Sequence, residues 1–239
     1  MRSIVKVSWK ESDSPRLKLA SEEGFEHIDL AEGRNLDLEV IDERRCTGYH
    51  AARGELVPCP EFRSIESGDQ CPQCRGKDIY TEYRQGSSGE RLDSEFSVYI
   101  AQCGSEVKVG VTRSSRLETR WLEQGANYAA EIFSGLSAEK ALEKESELSD
   151  MGLKERIRKE RKTGDHPEKI SEELDRIEAD TQVKHISKPL QCSSLERKGL
   201  FPSPIRRAAG QIVSDGRRCL ALVSGKVVVT ARQRELEEF

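Results

Sequence analysis

Four cysteines constrain this chain more than any other feature. Cys46, Cys59, Cys71 and Cys74 have the spacing C-x12-C-x11-C-x2-C and lie in a polar stretch punctuated by Pro58, Pro60, Gly68, Pro72 and Gly76. A segment of that composition cannot pack a core of its own. Cys71-Pro72-Gln73-Cys74 is a tight knuckle that aims two sulfurs at one ion, and tetrahedral Zn²⁺ takes four thiolates at about 2.3 Å. The metal would then supply the folding energy that the segment lacks. Four protein ligands leave no open position, so the expected role is structural. His50, four residues after Cys46, is an alternative to one of the sulfurs. The competing explanation is a set of ordinary thiols. Cys103, Cys192 and Cys219 sit in or near strand-like runs and read as small core residues.

The chain has seven cysteines, and its N-terminus, Met1–Val7, reads as a strand without a hydrophobic targeting region. The expected location is therefore the cytoplasm, with reduced thiols that favour a metal site over disulfides. Charged residues make up 34% of the 239 residues and aromatics only 5%. No stretch approaches the ~20 consecutive apolar residues of a membrane span. One large, richly packed core is also excluded, so small modules are expected.

Charge is unevenly spread. Residues 1–95 carry 14 basic and 20 acidic side chains, residues 96–153 carry 6 and 9, and residues 154–239 carry 19 and 14. An acidic front and a basic tail point to separate partners. The reading is an α+β protein of three modules. Residues 1–84 form a β-rich module with the cysteine site, with strands at Ile4–Trp9, Arg16–Ala20 and Leu36–Ile41. Residues 84–90 form a small, polar linker. Residues 95–153 read β-β-α-β-α: strands Phe96–Cys103 and Glu106–Thr112, a helix capped by Ser114 or Ser115 and ended by Gly125, a strand Tyr128–Phe133, and a helix Ser137–Asp150. Residues 154–239 read as charged helices (Leu153–Lys162 and Pro167–Asp180), then strands Gly210–Val213, Cys219–Val223 and Lys226–Thr230, joined as hairpins at Asp215-Gly216 and Ser224-Gly225.

Residues 97–112 read Ser-Val-Tyr-Ile-Ala-Gln-Cys-Gly-Ser-Glu-Val-Lys-Val-Gly-Val-Thr, and a helix carrying Arg120-Trp121 follows. In order and spacing this resembles the GIY-YIG nuclease superfamily. Tyr99 falls on the tyrosine of the first motif, Lys108-Val109-Gly110 on the second motif, Arg120 on the helix arginine, and Glu145 on the metal-binding glutamate. The resemblance implies attack on a phosphodiester, with the tyrosine and a water at the reacting side, an arginine on the phosphoryl oxygens, and Mg²⁺ or Mn²⁺ at the glutamate. Serine for glycine at Ser97 and lysine for tyrosine at Lys108 depart from the pattern. These departures leave open a scaffold that binds nucleic acid without cleaving it.

Two further observations come from the residues themselves. Arg113, Arg116 and Arg120, spaced by three and four, could form one phosphate-binding stripe, or simply a solvated face. Ala138, Ala141, Leu142, Leu148 and Gly152 mark an inward stripe that contains Glu145, where an unpaired carboxylate is costly. Glu143 is the competing candidate and Glu139 a weaker one. Across the whole chain, "RRCTGYH", "CPQC", "VYIAQCGSEVKVGVT" and "AAGQIVSDGRRCLALVSGKVVV" together resemble an uncharacterised prokaryotic domain-of-unknown-function family.

The functional expectation is a protein that binds or processes nucleic acid, RNA or DNA undetermined, as a divalent-metal-dependent phosphodiesterase or as a non-catalytic binder. The alternative is a zinc-stabilised adaptor that docks a protein partner through its acidic front.

Overall fold

The computed structural model describes residues 1–9, 14–52, 54–81 and 94–230. The linker read at 84–90 lies outside them. In chain order the strands are β1 Arg2–Ser8, β2 Arg16–Ser21, β3 Gly24–Asp29, β4 Leu38–Arg44, β5 Tyr49–Ala52, β6 Glu55–Val57, β7 Phe96–Cys103, β8 Glu106–Arg113, β9 Tyr128–Leu136, β10 Lys184–His185, β11 Ser194–Glu196, β12 Gly199–Leu200, β13 Arg207–Ala209, β14 Ile212–Ser214, β15 Arg218–Ala221 and β16 Lys226–Thr230. The helices are α1 Pro72–Lys77, α2 Leu117–Gln124, α3 Ala138–Asp150 and α4 Glu168–Arg176. The protein is mixed α+β.

Three serial modules were the expectation, but the chain divides into two compact units. The first takes residues 1–90, 194–207 and 211–239, and the second takes 91–193 and 208–210. The first unit is thus built from both ends of the chain. Its main sheet has the order β12-β4-β16-β1-β2-β3. β16 lies between β4 and β1, antiparallel to both. Val227, Val228 and Val229 are all buried, as a strand covered on both faces requires. This corrects the second hairpin. β14 and β15 do pair antiparallel across Asp215-Gly216, where the Asp215 carboxylate accepts the N–H groups of Arg217 and Arg218. At Ser224-Gly225, however, the chain passes to a different sheet. β3 was not foreseen: an edge strand reading Gly-Phe-Glu-His-Ile-Asp is only partly buried and alternates weakly.

The second unit contains the β-β-α-β-α order. Its sheet runs β10-β9-β7-β8, with β7 central and β8 at an edge. β7 alternates between two apolar faces. Val98 and Ile100 pack with Val109, Ala141, Leu148, Ile170 and Leu174, the face covered by α3 and α4. Tyr99, Ala101 and Cys103 pack with Leu117, Trp121 and Ala126, the face covered by α2. A single 3-10 turn, Ser114–Arg116, precedes α2, and Gly125 ends it in the left-handed region at φ 72°. Ser137 caps α3 by accepting the N–H of Lys140 at 3.3 Å.

The helix expected at Leu153–Lys162 is absent. The backbone there is used otherwise: Lys154 bridges to Lys108 on β8, and its carbonyl accepts the N–H of Val109 at 2.8 Å. The segment covers an open strand edge, and only Lys159–Arg161 makes a 3-10 turn. The second expected helix shortens to α4, with Pro167 at its N-cap.

Candidate metal centre and the cluster around Tyr99

The first unit gathers Cys46, Cys59, Cys71 and Cys74 from a loop, a turn and the start of α1. Their four sulfurs lie within 4.8 Å of one another, and all four residues are buried. Cys71 is the N-cap of α1. Its Sγ accepts the Cys74 N–H at 3.5 Å, while its own N–H donates to Cys46 Sγ at 3.2 Å. Gly48, at φ 99°, permits the tight return after Cys46, because a Cβ there would meet the Val57 carbonyl oxygen at 2.0 Å. Tyr49 and Ile65 pack against the sulfurs.

The donor chemistry fits a metal ion such as zinc. Thiolates bound tetrahedrally at about 2.3 Å stand about 3.8 Å apart, within the observed spread. Burial pushes the Cys46 thiol up to about 11 and raises Cys74 as well. Burial also opposes the Cys71 thiolate, but the Cys74 N–H and the neighbouring thiols outweigh it and hold Cys71 below its ordinary value. A bound dication would favour thiolate at every position.

His50 does not join the sulfurs. Its Nδ1 lies 3.2 Å from the buried carboxylate of Asp78. Burial works against that carboxylate, yet the N–H of His50, the amide of Gln70 and the N–H of Tyr80 hold its pKa below the usual value. Of the other cysteines, Cys103 is a free buried thiol. Cys219 is a buried core residue as expected, but it and Cys192 are each disulfide-bonded, against the expectation of reduced thiols.

In the second unit, Tyr99 pairs with Gly110 across β7 and β8. A Cβ on Gly110 would meet the Tyr99 hydroxyl and Cζ at 2.7 Å, so the ring lies against the glycine. Trp121 stands edge-on to the same ring at 6.4 Å. Lys108 pairs with Ala101, which places it on the α2 face. Its Nζ donates to the Glu155 carbonyl at 2.6 Å. Burial, and then the nearby Arg120, lower the Lys108 pKa. Burial pushes the Tyr99 hydroxyl up to about 12 against the opposing pull of Arg120.

Glu145 is half-buried on α3 between the buried Ala141 and Leu148. Burial and the neighbouring Glu155 raise its pKa, and Lys108 opposes them. Glu143 and Glu139 are exposed. Leu142, placed on the inward stripe by spacing, is 59% exposed. Tyr99 on β7 and Lys108 on β8 therefore each lie within electrostatic reach of Arg120 on α2 and Glu145 on α3. Glu155 completes the group. It was missed because it falls in a run whose charge gave it no distinguishing pattern.

The arginines are arranged differently from a single helical stripe. Arg113 ends β8, Arg116 belongs to the 3-10 turn, and Arg120 alone lies within α2. Arg116 and Arg120 share Glu123, at 2.8 and 3.2 Å.

Fold and site thus define an α+β protein with a buried four-cysteine centre able to hold a metal ion. The chain belongs to the DUF2797 family, described as proteins of unknown function, with the match spanning residues 33–214. No curated protein matches the chain, and no solved structure does. Among the described residues no helix is long and apolar enough to cross a membrane.

Proposed function

We propose that the chain binds nucleic acid through its second unit, on a scaffold related to the GIY-YIG superfamily, and that the four cysteines of the first unit hold a structural zinc ion. The observation that carries the nucleic-acid reading is that Tyr99 on β7 and Lys108 on β8, cross-strand neighbours of Gly110 and Ala101, both lie within electrostatic reach of Arg120 and Glu145. In the resemblance these are the positions that meet a phosphodiester. Arg120 is 40% exposed at its side chain and could reach a phosphoryl oxygen. Glu145, with Glu155 beside it, offers carboxylates suited to Mg²⁺ or Mn²⁺, which would supply Lewis acidity at the leaving oxygen.

One observation favours binding without cleavage. Tyr99 is 1% exposed, and Lys108 is committed to a backbone carbonyl. Neither group is free to take a proton from a water at a substrate. A protein partner at the acidic first unit remains the competing reading.

The test is incubation of the purified chain with labelled RNA and DNA in Mg²⁺ or Mn²⁺, beside Glu145→Gln and Arg120→Ala. Salt-sensitive binding that weakens in Arg120→Ala supports the reading. Cleavage lost in both variants adds catalysis to it. No nucleic-acid binding at any salt concentration overturns it. For the first unit, about one zinc per chain, lost in Cys71→Ser, is the expected content.

A further inference from the structure

Residues 154–162 read Lys-Glu-Arg-Ile-Arg-Lys-Glu-Arg-Lys. Six of the nine are basic, in a unit whose three α-helices are each net acidic. Apart from the 3-10 turn at Lys159–Arg161, the segment is not helical, and it is not loose. At its start the Lys154 carbonyl accepts the Val109 N–H, and the Glu155 carbonyl accepts the Lys108 ammonium at 2.6 Å. At its centre Ile157 packs on the group formed by Tyr99, Leu117 and Trp121. At its end the Arg161 carbonyl accepts the Ser105 N–H at 3.3 Å, and Lys162 Nζ donates to the Gln124 carbonyl at 2.6 Å. Gly104 has no side chain where the segment passes, since a Cβ there would meet the Arg161 carbonyl oxygen at 2.5 Å.

The backbone is therefore pinned along its length, and its exposed side chains are four cations, Lys154, Arg156, Arg158 and Arg161, beside two carboxylates, Glu155 and Glu160. Arg156 and Arg158 flank the inward-facing Ile157 and are exposed. Neither forms an ion pair with a described residue. Lys154 and Arg161 share Glu106, at 2.9 and 4.0 Å. A rigid, positively charged strap costs little ordering entropy when it meets a polyanion. It lies on the sheet face that also carries α2 and Arg120.

We infer that the 154–162 strap is a phosphate-backbone binding element, and that Arg156 and Arg158 are its principal contacts. The partner is nucleic acid, gripped along its backbone without regard to sequence. This deepens the function proposed above and rests on it for the identity of the partner. Exposed arginines separated by one inward residue project to the same side, about 7 Å apart in extended chain. That spacing suits successive phosphates of one strand.

The test is fluorescence anisotropy of the full chain with labelled single-stranded RNA, single-stranded DNA and their duplexes across a salt series. Arg156→Ala/Arg158→Ala is compared with Lys6→Ala/Lys140→Ala, which removes the same charge from exposed sites elsewhere. Circular dichroism confirms that each variant is folded. The strap variant should bind about tenfold more weakly or worse and should lose about 1.5 from the log–log salt slope, while the control pair should stay near wild type. Strap-variant binding equal to the control overturns the inference. If Arg120→Ala then still weakens binding, the function proposed for the Tyr99 cluster stands without the strap. A weakened strap variant beside unaffected Arg120→Ala and Glu145→Gln upholds the strap and overturns the role of the cluster. Binding only to phosphatidylserine vesicles, and to no nucleic acid, overturns both.

Discussion

Tyr99 and Gly110 show how one cross-strand pair organises the candidate site. The ring occupies the space a Cβ would need on Gly110, and the resulting burial pushes its hydroxyl up to about 12. Gly110→Ala should overpack this contact and cost about 1–3 kcal/mol, read as a lower melting temperature. An unchanged melt would place the ring elsewhere. The raised pKa has a pH consequence with a definite sign. Unfolded tyrosine ionises near pH 10, so the folded state keeps a proton that the unfolded state loses. The associated stability is present below about pH 10 and is lost as pH rises to about 12. Tyr99→Phe should remove that part of the alkaline slope in a melting series. Asp78 is the counterpart in the first unit, since Asp78→Ala strands the donors of His50, Gln70 and Tyr80. Its expected cost is about 1–3 kcal/mol in thermal or urea unfolding. The sequence pointed to Tyr99, Gly110 and the four cysteines because their spacing is local. It did not point to Glu155 or Asp78, whose partners are reached only through the fold.

At the scale of elements, local signals were readable where a strand or helix obeys its own period. β7 and β8 were legible from continuous apolar runs bounded by Gly104-Ser105, and α3 from Ser137 to Asp150 by composition. Ser137→Ala should remove the cap on Lys140 and cost about 1 kcal/mol, seen in helical circular dichroism on heating. No change would mean that the cap contributes nothing. The 154–162 segment was not legible. Its composition favours helix, but β8 presents an open edge, and pairing that edge satisfies backbone groups that a solvated helix would not. Arg113 was placed with Arg116 and Arg120 by spacing alone, yet the strand continues to Arg113, and only the later residues turn.

At the scale of the whole molecule, the ends of the chain defeated a serial reading. Nothing local tells Val227–Val229 to insert between β1 and β4, because the pairing joins opposite ends of the sequence. The Ser224-Gly225 turn that leads into β16 also supports the cysteine loop: Ser224 Oγ donates to Asp69, and Arg44 donates to the carbonyls of Gly68 and Ser224. A chain ending at residue 210 should therefore lose both the cooperative melt of the first unit and its capacity to hold the zinc ion proposed for the four cysteines. Retention of about one zinc per chain would contradict that dependence. The net charge of −4 likewise conceals a cationic strap on the face of the second unit that also carries Arg120. If this face holds a nucleic-acid backbone as proposed, binding by the full chain depends on salt. The affinity should fall linearly in log–log form as salt rises, with a slope of several units. An affinity independent of salt, or no binding to RNA or DNA at low salt, would contradict the proposal.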